Sequence, residues 1–533
     1  MEKEIFTPGS ALRLPTQPGR PGRIIEAAVY ALLAAFFAYA SAAELCALAG
    51  SLRAFALSLV MLCALALALW AIWRLARFEE PLLVMILILA AAVRLWYVLT
   101  VPTQPASDFA MMYGSALQSA QGDFTWADVT EGYYSWWQYQ IPFVLYEALI
   151  LKLWPSMAAL KLMNIIWGVG TVFLIFRIAA DFLPKRCALA SAFLYAVYPG
   201  QIMLTSVLTN QIVSLFFVLC GLYALLRARS LWGCALAGCL FALGNLMRPE
   251  AAIVIAACAC ALLCAFIQRP SKKRLLTLVL TLAAVVGAYY LFQTAAGIIL
   301  RAAGAAPHGI GNSVPEWKLV VGLNPDSGGT VTDKDIYVLY LSDPAQRRAE
   351  SRAVIKGYIT GRTDILPFLY GKLKYFWISA EDTCFTSAGV NAAAQVLPGV
   401  SVEALLTKIS HFELAERFAA YVLSLCGCAM LARGAFSGRR GESPAPLIAA
   451  AVLCGVILVY LFIEIQPRYR CFAMPFIFML ASVPGGASFL DVVPDARLER
   501  GACLLESELG VVDASLETQL KALENALRSK IAS

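Results

Sequence analysis

The chain has 533 residues, of which 60% are hydrophobic and only 14% charged, and its mean hydropathy is +0.72. Soluble domains carry nearer a quarter of charged residues. With its repeated apolar runs of about 20 residues, this composition excludes a soluble enzyme and indicates a polytopic membrane protein. The net charge of +7 sits in the flanks of those runs, so it reads as topology, and no nucleic-acid partner is expected.

The first 23 residues are basic and rich in Pro and Gly, too long and broken for a signal n-region. The first apolar run has no convincing small-residue cleavage site and reads as a retained helix. Twelve spans fit: 24–50, 53–75, 81–101, 159–182, 187–206, 210–228, 231–247, 250–267, 275–297, 413–432, 447–463 and 471–490. Lys and Arg gather at alternate ends of these spans (Arg74/Arg77, Lys185/Arg186, Arg227/Arg229, Arg269 to Arg274, Arg433 to Arg440), which places both termini in the cytoplasm. The domain reading is a cytoplasmic tail (1–23), two additional helices (24–80), a transmembrane catalytic domain (81–490) and a cytoplasmic amphipathic tail (491–533).

Two long segments then fall outside. The first, 102–158, opens with Ser107-Asp108-Phe109, has no Lys or Arg before Lys152, and contains an aromatic cluster from Tyr133 to Tyr139. Its piece 141–154 is apolar but too short to span, and reads as an interfacial helix. The second, about 298–412, starts with turns and one short strand (308–335). A charged helix (343–359) and a membrane-surface helix (365–379) carrying Lys372 and Lys374 follow. In the tail, Leu516, Leu520, Leu523 and Leu527 recur at helical spacing.

The 15 Cys lie mostly singly inside apolar runs, where they act as small buried hydrophobes, and two His residues are too few for a zinc site. No cofactor is expected, because one Asp beside amides makes a poor divalent-metal cage. Three polar clusters map to outer span ends: Ser107-Asp108 with Tyr113, Asn245 to Glu250, and Gln466 to Arg470. Arg248, Arg468 and Arg470 read either as headgroup anchors or as ligands of an anion, and a lipid-linked phosphate is the anion at hand. Asp108 reads as a helix N-cap, a general base, or both. Tyr133, Tyr134, Trp136, Trp137 and Tyr139 read as an interfacial belt or as sugar-stacking faces.

Taken in order, SDFAMMYGSALQSAQGDF, an interfacial helix, NLMRPEAAIVIAA and QPRYRCFAMPFIFMLA resemble the membrane glycosyltransferases of the GT-C fold. The resemblance is greatest to the phospholipid-carrier-dependent group (glycosyltransferase family 39), alongside protein O-mannosyltransferases and the lipid A aminoarabinose transferase. It covers roughly Pro81 to Leu490, and WKLVVGLNPDSGG resembles an outer-loop motif of Gram-positive members. It implies an all-α polytopic protein of GT-C type, in the cell membrane, with about twelve transmembrane helices and two long extracytoplasmic loops. It implies a polyprenyl-phosphate sugar donor and a glycan, lipid or protein acceptor on the outer face.

Residue by residue, Asp108 matches the family's catalytic acid, while Arg248 and Arg468 match basic positions near the donor phosphate. Arg470 and Tyr469 join that phosphate set, and Tyr113, Glu250, Asn210, Trp136 and Trp137 are candidate substrate contacts. The chain departs from the family at Asn210-Gln211, where an acid often stands, and at Phe109, where protein O-mannosyltransferases pair Glu with the Asp. A lone base suits inversion, since retention would want two close carboxylates. The alternative is a transporter or flippase of a lipid-linked or polar substrate, whose marks would be mid-membrane ionisable sites and repeated halves.

Overall fold

The structure is a computed structural model. It describes residues 13–15, 19–50, 52–341, 343–360, 363–380, 389–438, 441–484, 504–507, 510–513, 515 and 518. Two compact units divide the chain, residues 1–483 and 484–533. In the second unit the described residues form an antiparallel hairpin of Leu504–Ser507 and Gly510–Asp513. The expected tail helix over 516–527 lies outside the described residues.

The first unit is mostly helical, with one short antiparallel strand pair, Gln395–Leu397 and Val400–Ser401. Among the described residues, eight helices are long and apolar enough to cross a membrane: α1 (Arg20–Leu48), α2 (Leu52–Leu75), α3 (Glu79–Thr100), α6 (Met157–Ala179), α11 (Ala251–Gln268), α12 (Lys272–Ala302), α16 (Val402–Ser437) and α17 (Ala445–Phe462). Two apolar helices of 17 residues, α9 (Gln211–Arg227) and α10 (Leu231–Met247), sit at the lower limit for spanning.

The expected span 187–206 is not one helix. It is α7 (Lys185–Val197) followed by the short α8 (Pro199–Leu204). Pro199 has no N–H to continue the ladder and disfavours a helical Tyr198. The carbonyls left at the break are met by Arg94 of α3, which donates to Ala196 O (2.9 Å) and Tyr195 O (3.4 Å). Of the last expected span, the described helix is α18 (Met474–Ala481).

In lipid, helices associate through close packing and polar pairs. Tyr30, Leu33, Phe37, Ala40 and Glu44 recur along α1 at coiled-coil spacing and are all buried, and α1 packs along α16. Arg417 of α16 is fully buried and holds Glu44 (2.7 Å) and Glu413 (2.8 Å). The first of the two helices read as an addition is therefore joined to the bundle by an ion pair.

The polar ends of the bundle sort into two sets. Arg227, at the far end of α9 from Gln211, pairs with Asp181 (3.6 Å), while Ser443 donates to Asp181 (2.6 Å) and Arg13 pairs with Glu442 (3.0 Å). Asn210 and Gln211 begin the same helix at the opposite end, where the two long segments 102–158 and 298–412 fold together.

Segment 102–158 contributes α4 (Ser107–Ala120) and α5 (Ile141–Leu153), the latter packed between α4 and α6. At 13 residues α5 is about 20 Å long, too short to span. Segment 298–412 contributes α13 (Trp317–Leu323), α14 (Pro344–Ile359) and α15 (Ile365–Ile378). Asp343 caps α14 through the N–H groups of Ala345 and Gln346. The short strand expected over 308–335 is absent among the described residues, and WKLVVGL is helical instead. Trp136, Val314, Trp317, Val321 and Leu339 form a small apolar core that joins the two segments.

Candidate active site

A cavity of about 710 Å³ opens between the two segments, a size suited to a small organic ligand. All three polar clusters seen in the sequence reach it. Asp108, Asn210, Arg248, Glu250, Arg468 and Tyr469 line it, although they come from turns as much as 361 positions apart.

Asp108 stands in the first turn of α4, whose N-cap is Ala106. Its carboxylate makes no cap hydrogen bond, so the capping role read from the sequence is not the one it plays. Ser107 has φ 52°, the sole non-glycine in the left-handed region among the described residues. That backbone costs roughly 1–3 kcal/mol and persists only where the surroundings impose it. Asp108 is open to the cavity yet enclosed by protein. Burial raises its carboxyl above the usual aspartate range, Arg468 and Lys318 pull it down, and Glu464 pushes it up again.

Arg468 ties the third cluster to the first, its Cζ lying 5.0 Å from the Phe109 ring. Both Arg248 (4.6 Å) and Arg468 (5.4 Å) lie over the ring of Tyr469, a cation–π arrangement that holds two like charges side by side. Arg248 Nε donates to Glu250 Oε1 (2.7 Å) and Nη1 to Asn210 Oδ1 (3.4 Å). Tyr460 OH also donates to Glu250, at 3.4 Å.

The amides standing where the family often has an acid join the clusters. Asn210 donates to Gln140 Oε1 (2.9 Å), and Gln211 to the carbonyl of Arg468 (2.9 Å). Amides suit this work because one group both donates and accepts.

Two site expectations and one placement need correction. Arg470 does not face the cavity. It is 1% exposed, pairs with Glu413 (2.9 Å) and donates to Phe376 O (2.7 Å). Tyr113 turns from the cavity toward the main core, and Met111 and Met112 take the wall position. Lys372, read as a surface cation, is buried and donates to the carbonyls of Gly322 and Ile463. Trp136 and Trp137 do reach the cavity, but Trp136 packs edge to face with Trp137 and Tyr340, and Trp137 lies tilted against Trp317. They build the wall first and offer a ligand an edge.

Sequence reasoning missed Lys318 and Glu464, which pair across the cavity wall. The available signal was WKLVVGLNPDSGG, whose first basic residue is Lys318. Among the described residues, no group of three His, Cys, Asp or Glu side chains is placed to hold a metal ion.

Comparison with known proteins finds a family over part of the chain. Residues 145–291 match the family model described as dolichyl-phosphate-mannose-protein mannosyltransferase. The stretch from α5 into α12 thus matches a family of membrane glycosyltransferases, as the motifs led us to expect. Arg248, Glu250 and Asn210 lie inside it, and Asp108, Lys318 and Arg468 outside.

Among solved structures, the Archaeoglobus fulgidus oligosaccharyltransferase in its apo form is similar at 15% identity, with 78% of this chain and 57% of that chain covered and a TM-score of 0.30. The same protein tethered to an acceptor peptide with the NVT sequon gives 15%, 77%, 56% and 0.31. At such scores no residue correspondence follows. A different likeness is local: 44 residues are 46% identical to the type 3 secretion system stator proteins of Yersinia pestis and Yersinia enterocolitica. That match covers 8% of this chain and 20% of those relatives, so the chain spans about a fifth of their length.

Proposed function

We propose that the protein is an integral-membrane glycosyltransferase. It moves a sugar from a polyprenyl-phosphate donor to a glycan, lipid or protein acceptor at the outer face, with inversion. The carrying observation is the meeting of Asp108, Arg248 and Arg468 in one cavity, from three turns distant in sequence.

In this reading the acceptor hydroxyl gives its proton to Asp108 as its oxygen bonds to the anomeric carbon. The bond from that carbon to the phosphate oxygen breaks, and its electron pair stays on the polyprenyl phosphate. A phosphate leaves without a general acid. Partial desolvation in the cavity makes Asp108 a stronger base than a fully solvated aspartate, which favours the transfer. Arg248, Arg468 and the Tyr469 ring between them form the phosphate-facing wall, where preorganised donors stabilise the charge that grows on the leaving group.

Charge balance supports the arrangement. Asp108, Glu250 and Glu464 face Arg248, Lys318 and Arg468, so the cavity is neutral when all are ionised. A donor phosphodiester carries one negative charge and the departing monoester up to two. The proton taken by Asp108 compensates for that increase.

The test is Asp108→Asn, which is nearly isosteric. Turnover in detergent, without sealed vesicles, should fall about 100-fold or more with expression unchanged. Donor binding should survive or tighten, because a charge repelling the phosphate is gone. A rate within a few-fold of the parent would exclude Asp108 as the base. Failure of the unmodified protein to transfer sugar outside a vesicle, with transport in a sealed one, would favour the transporter. Transfer assayed in chelator reports on metal need.

A further inference from the structure

Lys318 and Glu464 are joined twice. Lys318 Nζ pairs with Glu464 Oε2, and the Glu464 backbone N–H donates to Lys318 O at 2.9 Å. The two partners differ in what else they do. Glu464 is 2% exposed, and its Oε1 accepts from Gln466 Nε2 (2.7 Å) and Tyr469 OH (3.3 Å). The Lys318 side chain is 30% exposed and lines the cavity.

An ammonium has three N–H groups, and among the described residues Glu464 is the one side chain that accepts from it. A buried acid with both oxygens engaged and a half-open base make a pair that presents its cation. That cation acts electrostatically on Asp108 across the cavity. Both residues line the same cavity.

We infer that Lys318 is an anion-binding residue of the cavity, oriented by Glu464, whose ligand is the phosphate of the lipid-linked donor. This rests on the function proposed above and extends it: the second outer segment supplies part of the donor site. Phosphate fits better than a planar carboxylate, because an ammonium binds as a point charge and does not need a matching fork. The competing role is purely structural, with the pair only pinning α13 to the chain after α17.

The two roles separate in a binding measurement that needs no turnover. Polyprenyl monophosphate, and the uncharged polyprenol of equal length, are titrated into the full-length protein in detergent. The fluorescence of Trp136, Trp137 and Trp317, which line the cavity, is followed. The unmodified protein should bind the phosphate and discriminate against the alcohol. Lys318→Met should weaken phosphate binding about tenfold or more, as loss of a charge-assisted hydrogen bond does. The double variant Lys318→Met/Glu464→Gln leaves no stranded charge and should show the same loss. A double variant that binds like the parent would overturn the role of Lys318 and leave the proposed function standing. A parent that binds phosphate and alcohol equally would overturn both.

Discussion

In the proposed mechanism, Asp108 is suited to its role as base by what surrounds it. Its carboxyl holds a proton more tightly than in the unfolded chain. It therefore favours folding below the ordinary aspartate range and costs stability as pH rises through its folded value. Activity has the opposite sign, since the base must be ionised. The acid limb of the rate profile should lie above roughly pH 4, the ordinary aspartate value. Its position should move in opposite directions in two variants. Lys318→Met removes a cation that holds the value down and should shift the limb up, while Glu464→Gln removes a carboxylate that pushes it up and should shift the limb down. Rate against pH for the two variants and the parent checks this, and shifts of the same sign would show that the limb belongs to another group.

At the scale of elements, the wall depends on α13 lying tightly against the chain that follows α17. Gly322 makes that approach: a Cβ there would meet Phe462 O and the Ile463 main chain at 2.2 Å. Main chain does not yield as a flexible side chain does, so Gly322→Ala should cost about 1–3 kcal/mol. Because Lys318 and Glu464 sit on the two parts being separated, donor affinity should fall while the bundle still inserts. Thermal unfolding and donor titration of the purified variant measure both quantities. An unchanged melting point would mean that the segment repacks freely.

The same region shows where sequence reading ends. Asp108, Arg248 and Arg468 were legible because each stands beside a turn residue at a span end, where a charge is unexpected. The pairing of Lys318 with Glu464 was not. It depends on tertiary docking of two segments with no shared period, and Glu464 in isolation is one acid after an apolar run. Arg470 was misread for a related reason. Its neighbour Arg468 faces the cavity, and only the short 3₁₀ turn over Pro467–Phe472 sends Arg470 inward to Glu413.

At the scale of the whole molecule, the helix pattern was readable from hydropathy alone, and the exception marks a physical limit. A hydropathy window sums apolar residues across Tyr198-Pro199 and cannot register a break that Arg94 repairs from another helix. Orientation remains a proposal with a direct check. Cysteines placed at Asp123 and Ser327, in a background freed of reactive native thiols, should label with an impermeant reagent in intact cells. One at Gly441 should label only after lysis. The reverse pattern would turn the cavity toward the cytoplasm and remove the outer-face reading.

The bond between Glu44 and Arg417 also sets a schedule. The two residues are 373 positions apart, so the ribosome needs roughly 20–75 s at about 5–20 residues per second to deliver the second after the first. Throughout that interval Glu44 is already in the first helix without its guanidinium, and a lone buried carboxylate is costly in the bilayer. The first helix cannot settle in its final place until nearly four-fifths of the chain has emerged. Chains halted before Arg417 therefore lack the guanidinium that answers Glu44 in the finished protein.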